Sequence, residues 1–133
     1  IGITAVGMID LNTWVKPKTY EGDDLVVIGT PKVGSEVLES NEFSNIKIIS
    51  LIKDMPGINE ILPVGSKGVD YEVGEMCKTN NVHFQYTDNV KVDVKKTAGP
   101  VTCFIVSGNK EIIEEQLIRH NVVFSYLGCF TAS

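Results

Sequence analysis

The sequence predicts an α+β domain in which a mixed, largely antiparallel sheet of about six strands is covered by three or four helices. Three observations predict this class. Short apolar or alternating runs, which are typical of strands, end at glycine, proline or asparagine. Segments whose apolar residues recur at helical spacing lie between these runs. No repeat, low-complexity tract or linker divides the chain, so residues 1–133 are predicted to form a single domain.

The strand predictions follow from β-branched and apolar runs. Leu25-Val26-Val27-Ile28 is a continuous apolar run closed by Gly29, as expected of a central strand. Val90, Val92 and Val94 alternate with polar residues, as expected of a half-exposed strand. The other predicted strands are Ile1–Ile9, Ile58–Val64, Val82–Tyr86, Val101–Val106 and Val122–Phe130.

The first two helix predictions rest on apolar spacing. Apolar residues at i, i+3, i+4 and i+7 favour a helix between Ser44 and Met55, although the alternation in Ile46-Lys47-Ile48 leaves a strand open there. A second helix follows the Gly65 loop and ends near Asn80-Asn81. Its apolar face is predicted to consist of Val69, Val73, Met76 and Cys77.

Capping residues predict the remaining helices. Asn109 is a good N-cap for a helix that ends at His120, with Ile113 and Leu117 facing the core. Ser35 is a possible start for a short helix through Leu38.

Composition limits the function classes. Apolar residues make up 43% of the 133 residues and charged residues 22%, as in folded soluble proteins. Twelve basic against seventeen acidic residues give a net charge of -5, which argues against a broad nucleic-acid-binding face. No stretch approaches the roughly 18 apolar residues of a membrane span. Three isolated cysteines predict reduced thiols and hence a cytoplasmic protein.

The loop Gly65-Ser66-Lys67-Gly68 joins a predicted strand to a predicted helix. Backbone N–H groups at such a junction lack partners, the helix dipole favours anions, and small residues let a phosphate approach. Lys67 adds a compact positive charge. The alternative is an ordinary glycine-rich turn in which Ser66 caps the helix. The sequence lacks a P-loop and a nucleophile elbow.

Two further segments are weaker candidates for anion or substrate contacts. The loop after Gly29 repeats the same design with Lys32, Gly34 and Ser35, and both loops would lie at the carboxyl ends of strands. Gly99-Pro100 precedes another strand, where on its own it indicates only a bend.

Metal sites are not predicted. Asp10 and Asp23-Asp24 are conceivable metal ligands, but Asp23-Asp24 fits better as the solvated turn that leads into the strand at Leu25. Neither His83 nor His120 belongs to a cluster with cysteine or carboxylate at metal-binding spacing.

The order of these residues resembles the C-terminal domain of the aminoimidazole ribonucleotide (AIR) synthetase superfamily. This superfamily also includes selenophosphate synthetase, thiamine-phosphate kinase, the hydrogenase-maturation dehydratase and formylglycinamide ribonucleotide amidotransferase. The resemblance covers nearly the whole chain. The similar segments are Ile3–Gly7, which looks like the strand that enters this domain, Tyr20–Gly29, Ile61–Val69 and Val122–Gly128.

The chain departs from the family pattern at its loops. Where many members have Asp, Thr and Arg-Gly-Gly, this chain has Pro63, Gly65 and Ser66-Lys67-Gly68, so a role of the family's arginine passes at most to Lys67. With Ala98-Gly99-Pro100-Val101-Thr102, these departures look most like the branch known as α-ribazole kinase, or α-ribazole-5-phosphate synthase, of cobalamin salvage.

The resemblance implies an ATP-dependent kinase or synthetase that acts on a small metabolite. Its N-terminal domain would bind ATP and Mg²⁺ and form a homodimer, while this domain would contact phosphate and the acceptor substrate. Because the chain opens in mid-pattern without Met, we expect a fragment of such a two-domain protein, inactive by itself. The substrate or phosphate contacts would come from Lys32, Gly34, Ser35, Gly65, Ser66, Lys67 and Gly68, and then from Gly99, Pro100 and Thr102. The alternative is a non-catalytic ligand-sensing or assembly domain with the same fold.

Overall fold

The computed structural model describes residues 2–31, 45–98 and 103–133. These ranges contain five strands: β1 Asp24–Gly29, β2 Ile58–Pro63, β3 Val82–Tyr86, β4 Cys103–Gly108 and β5 Phe124–Ala132. They also contain three helices: α1 Asn45–Ile52, α2 Val69–Asn80 and α3 Lys110–Arg119. The short helix predicted from Ser35 to Leu38 lies outside the described residues.

The five strands form one sheet in the order β2-β4-β1-β5-β3. Every neighbouring pair is antiparallel. β1 occupies the centre, as its continuous apolar run predicts, and all five residues from Leu25 to Gly29 are buried. This arrangement confirms the α+β class with a largely antiparallel sheet, and the strand count is close to the predicted one.

Helices cover both faces of the sheet. Leu25 and Val27 of β1 point toward α2, whereas Val26 and Ile28 point toward α1 and α3. All four side chains are fully buried. Because burial of one such side chain contributes about 1.5–3 kcal/mol, the alternation along β1 stabilises both layers at once.

The predicted faces of the helices agree with the structure. Val69, Val73 and Met76 are the buried residues of α2, and Cys77 packs against them partly exposed. In α3 the buried residues are Ile113 and Leu117. None of the helices in the described ranges has the length and apolar content needed to cross a membrane.

Local signals also set the helix ends. The Asn109 side chain caps α3 by accepting a hydrogen bond from the backbone N–H of Ile112 at 3.2 Å. Asn81 ends α2 in the left-handed conformation, with φ of 55°, which asparagine tolerates better than most residues.

The prediction of a strand at Ile1–Ile9 is wrong for the residues that the structure describes. Residues 2–10 have no strand pairing, and Ile3, Val6 and Met8 are 95%, 92% and 100% exposed. The pattern is apolar and β-rich, but β2 and β3 form the edges of the sheet and neither pairs with this segment.

The chain joins the domain at Thr19, which is fully buried. The Thr19 N–H donates to Oδ1 of Asn80 at 3.0 Å, and its hydroxyl donates to Oε1 of Glu60 at 2.6 Å. The same hydroxyl lies 2.7 Å from that of Ser107. These bonds fix the segment that leads into β1 against β2, β4 and the end of α2.

The prediction of a strand at Val90–Val94 is also wrong. None of these residues belongs to a strand; the chain bends at Val92, begins a turn at Val94, and is held by single hydrogen bonds, such as that from the Asp70 N–H to the Val94 carbonyl at 2.8 Å. Val90, Val92 and Val94 are nevertheless half-buried against the core on the α2 side of the sheet. The alternation therefore indicates which side chains face the core and does not indicate strand pairing. An irregular segment packed over a core produces the same alternation of apolar and polar residues.

Candidate functional site

The topology brings the strand ends that precede the two predicted glycine loops to the same end of the sheet. β1 and β2 lie on opposite sides of β4, and both are antiparallel to it. Gly29 pairs with Cys103 and Pro63 pairs with Phe104, so both strands end where β4 begins. Two strand spacings separate these ends by about 10 Å. Lys32, Gly34 and Ser35 lie outside the described residues.

The Gly65–Gly68 loop turns tightly from β2 into α2. The Gly68 N–H donates to the Gly65 carbonyl at 3.2 Å, and the Ala98 N–H donates to the same carbonyl at 3.1 Å. The Val64 N–H donates to the Cys103 carbonyl at 3.1 Å. Ala98 and Cys103, which flank residues 99–102, are thus both hydrogen-bonded to this loop or its neighbour.

The third group of predicted contacts, Gly99, Pro100 and Thr102, lies outside the described residues. The described residues on either side of it, Ala98 and Cys103, are hydrogen-bonded to Gly65 and Val64.

Gly68 is the N-cap of α2. Its φ of 89° and ψ of 175° suit glycine alone, and a Cβ there would lie 2.9 Å from the Val94 carbonyl oxygen. No side chain caps the helix, so Ser66 does not cap it as the simple-turn alternative supposed. The close approach of residues 94–96 is what requires a glycine here.

The loop presents unpaired donors. Within the described residues, the backbone N–H groups of the exposed residues Ser66 and Lys67 have no hydrogen-bond partner. Ser66 and Lys67 are exposed, and the Lys67 ammonium lies 4.5 Å from the centre of the Tyr71 ring. Unpaired amides at a helix start together with a lysine are the groups that hold a phosphate in proteins.

Glu72 opposes anion binding at this loop. Burial raises the pKa of the Glu72 carboxyl, while a hydrogen bond from the Gly65 N–H and the charge of Lys67 lower it. The Glu72 carboxylate therefore occupies the Gly65 N–H and weakens the attraction of Lys67 for another anion. An incoming phosphate must compete with it or share the loop with its protonated form.

Asp70 ties the start of α2 to segments far along the chain. Its carboxylate accepts a hydrogen bond from the Tyr86 hydroxyl at 2.7 Å and forms an ion pair with Lys95. The Lys95 bond and then the Tyr86 bond lower the pKa of the Asp70 carboxyl, against a smaller effect of burial. This contact holds the segment of residues 87–98 over the loop.

The described residues around the loop offer no activated nucleophile. Burial raises the pKa of the Cys77 thiol, so it is a poor thiolate source. Burial and the bond to Asp70 likewise raise the pKa of Tyr86. Nor do any three His, Cys, Asp or Glu side chains of the described ranges come together as a metal site. The loop is suited to positioning and charge neutralisation.

Sequence reasoning missed Glu72, Lys95 and Tyr86. Glu72 lies one helical turn beyond Gly68, a spacing that is a usable signal for a side chain reaching back to a helix start. Lys95 and Tyr86 have no such local signal, because the fold alone brings them to Asp70.

Known structures share this architecture. T. maritima PurL complexed with ATP matches with a TM-score of 0.70 at 13% identity over 94% of this chain and 24% of that one. E. coli HypE, a hydrogenase maturation protein, matches with a TM-score of 0.67 at 18% identity, over 90% of this chain and 46% of HypE. The chain has the fold of these proteins.

Thiamine-monophosphate kinase from Stenotrophomonas maltophilia K279a also matches, with a TM-score of 0.60 at 11% identity over 88% of this chain and 50% of the kinase. The chain thus spans half or less of the length of each of these proteins. No protein-family model and no curated protein matches the chain. The fold expected from the AIR synthetase resemblance is confirmed at the level of the structure.

Proposed function

We propose that this chain is the substrate-side domain of an ATP-dependent phosphoryl-transfer enzyme of the AIR synthetase superfamily that acts on a small metabolite. The observation that carries the proposal is the Gly65–Gly68 loop, with its unpaired amides and Lys67 at the start of α2. The fold is shared with a kinase and with a protein seen complexed with ATP. Phosphoryl transfer depends on positioning and charge neutralisation more than on a protein nucleophile.

The proposal assigns ATP and Mg²⁺ to an N-terminal domain of the same protein. Among the described residues, no three His, Cys, Asp or Glu side chains come together as a possible metal site. The Gly65 loop fits one phosphoryl group through the N–H groups of Ser66 and Lys67. ATP supplies the phosphoryl group, and this domain orients the acceptor and neutralises charge.

The exposed arm of residues 2–15 supports a contact with that N-terminal domain. Its large apolar side chains are almost fully exposed to solvent. The exposed fraction is 82% to 100% for Ile3, Val6, Met8, Leu11 and Val15. Packing them against another domain would remove apolar surface from water at about 25 cal/mol per Å². The full-length enzyme would be a cytoplasmic homodimer, and this domain would take a small molecule but neither nucleic acid nor a membrane.

We propose α-ribazole as the first acceptor to test. The support is the residue pattern of the loops, Ser66-Lys67-Gly68 and Ala98-Gly99-Pro100-Val101-Thr102, which resembles the cobalamin-salvage branch. Related acceptors are thiamine phosphate, selenide and formylglycinamide ribonucleotide.

One observation favours the second candidate, a ligand-sensing or assembly domain without catalysis. The Glu72 carboxylate already engages the Gly65 N–H, and the family's Asp, Thr and Arg are replaced around Pro63 and Lys67. A domain that has lost its phosphate site would tolerate such an acid at the loop. The two candidates differ in whether acceptor-dependent use of ATP occurs.

The test uses the protein extended by its N-terminal domain. We expect ATP consumption that depends on one acceptor of the panel, and kcat/KM lower by about tenfold or more in Lys67→Ala, because a charged hydrogen bond is lost. Lys78→Ala, which removes an exposed lysine of α2, is the matched control and should keep full activity. ADP as product indicates a kinase or cyclo-ligase, whereas AMP indicates selenophosphate-type chemistry. No acceptor-dependent ATP use would favour the sensing domain.

A further inference from the structure

A second groove lies at the opposite end of β2 from the Gly65 loop. Residues 13–18 and Tyr20 form one wall, residues 53–54 and 58–59 form the other, and the space between them is about 570 Å³. That volume is within the range of small-molecule sites. The groove meets β2 at Ile58, whereas the Gly65 loop follows Pro63, so about 17 Å of strand separates the two.

Hydrogen bonds hold both walls in place. In the first wall the buried Thr19 anchors the end of the segment to the sheet, and the Trp14 N–H donates to the Asp10 carbonyl at 2.8 Å in a local turn within the segment. In the second wall the Asn59 side-chain amide donates to Oδ2 of Asp23 at 2.9 Å, and the same oxygen accepts the Tyr20 N–H at 2.9 Å. The groove is therefore built by contacts that do not depend on a ligand.

Positive charge is concentrated here on an acidic chain. The chain carries a net charge of -5, yet Lys16, Lys18 and Lys53 all line this groove. The acidic side chain in its lining is Asp54, which Lys53 pairs at 3.2 Å, and the Asp23 carboxylate at its edge is occupied by hydrogen bonds. When Asp23 is counted with Asp54, the three lysines exceed the carboxylates by one charge, and the site favours an anion.

Aromatic rings accompany these charges. Trp14 and Tyr20 line the groove and are 47% and 52% exposed. The Lys18 ammonium lies 5.2 Å from the centre of the Tyr20 ring, so this lysine is held beside an aromatic face. A half-exposed indole next to lysines is the arrangement that binds a planar base and its phosphate together.

We propose that this groove binds a nucleoside monophosphate or a similarly built phosphorylated heteroaromatic compound. The base stacks on Trp14, and Lys16 and Lys53 neutralise the phosphate. This site is separate from the phosphate contact proposed for the Gly65 loop and does not depend on it.

Tryptophan fluorescence reports on this site directly, because Trp14 is the one tryptophan of the chain. Titrating the 133-residue chain with AMP should change the intrinsic fluorescence in a saturable manner and more weakly as salt is raised. Adenosine and inorganic phosphate, which each carry half of the ligand, should bind at least about tenfold more weakly than AMP. If AMP causes no change in fluorescence, or if adenosine binds as tightly as AMP, the proposal is overturned.

Variants assign the contacts. Lys16→Ala and Lys53→Ala should each raise the Kd for AMP about tenfold, and Trp14→Ala should do so when followed by calorimetry. Lys78→Ala, in an exposed pair on α2, should leave the Kd unchanged. If Lys16→Ala and Lys53→Ala both leave the Kd for AMP unchanged, the ligand binds elsewhere and the inference fails. Tighter binding of a short single-stranded oligonucleotide than of AMP would also contradict it.

Discussion

Asp70 illustrates how one side chain links distant parts of the site. It sits in the first turn of α2, accepts from Tyr86 on β3, and pairs with Lys95 in the irregular segment after β3. Its carboxylate also lies at the positive end of the helix dipole. The contacts with Lys95 and Tyr86 are stronger for the ionised form, and the Lys95 bond followed by the Tyr86 bond lowers the pKa of Asp70.

The pH dependence of stability follows from this shift. Because the folded state lowers the pKa of Asp70 below its usual 3.8, the contribution is complete above that pH and disappears as pH falls through the folded value. Asp70→Asn should therefore reduce the free energy of unfolding at pH 7, by about 1 kcal/mol since the pair is partly solvated. The difference from the parent chain should shrink below pH 3.8 in urea unfolding.

Glu115→Gln is the control for that experiment. Glu115 pairs with Arg119 at 3.3 Å on α3, with both side chains more than 60% exposed. Removing this pair should change stability little at either pH. An Asp70→Asn effect that stays constant between pH 7 and pH 3 would show that the ion pair and its hydrogen bonds are not its source.

Single-residue signals were predictable from sequence where the physics is local. Asn109 caps α3 because its side chain reaches an N–H only three residues ahead, and the sequence predicts it. Lys67 stands in the loop that the pattern singled out. The role of Glu72 was not predicted. A glycine-rich turn indicates backbone N–H donors for an anion, whereas the Glu72 carboxylate is an acceptor that competes with the anion for them.

Among the elements, α2 depends most on how the chain enters it. Gly68 makes that entry with a backbone that other residues adopt rarely, under the carbonyls of Val94 and Lys96. Gly74 lies in the interior of the same helix, and a Cβ there would meet nothing within 4 Å. Substitution by alanine is therefore expected to have opposite effects on stability at the two glycines.

We expect Gly68→Ala to destabilise the chain by about 2 kcal/mol, through strain at positive φ and the contact with the Val94 carbonyl. Gly74→Ala should stabilise it by about 0.5–1 kcal/mol, because alanine favours the helix. Urea unfolding of both variants measures whether each substitution lowers or raises the free energy of unfolding. Equal effects of the two substitutions would mean that Gly68 is not held in the conformation described.

Helices were predicted better than strands for a physical reason. The faces of α2 and α3 follow from spacing within one segment, so the sequence specifies them. A strand also needs a partner, and the runs at Ile1–Ile9 and Val90–Val94 have the pattern without one among the described residues. The second run still packs on the core, so the pattern identified burial and not pairing.

In the molecule as a whole, strand order creates the site. β1 and β2 are separated in sequence by α1, yet both border β4 and end beside Cys103 and Phe104. No local pattern specifies this order; the family resemblance implied the fold, and the comparison with PurL and HypE supports it. The second groove was not predicted, because Trp14 and Lys53 belong to segments that meet only after folding.

The phosphate contact at the Gly65 loop is the central claim, and an NMR titration of the 133-residue chain with inorganic pyrophosphate tests it most directly. We expect saturable shifts of the Ser66 and Lys67 amides, weaker binding in Lys67→Ala, and binding several-fold tighter in Glu72→Gln, which removes the competing carboxylate charge. Amides of Ser66 and Lys67 that do not shift, or a Glu72→Gln chain that binds no more tightly than the parent, would contradict the account.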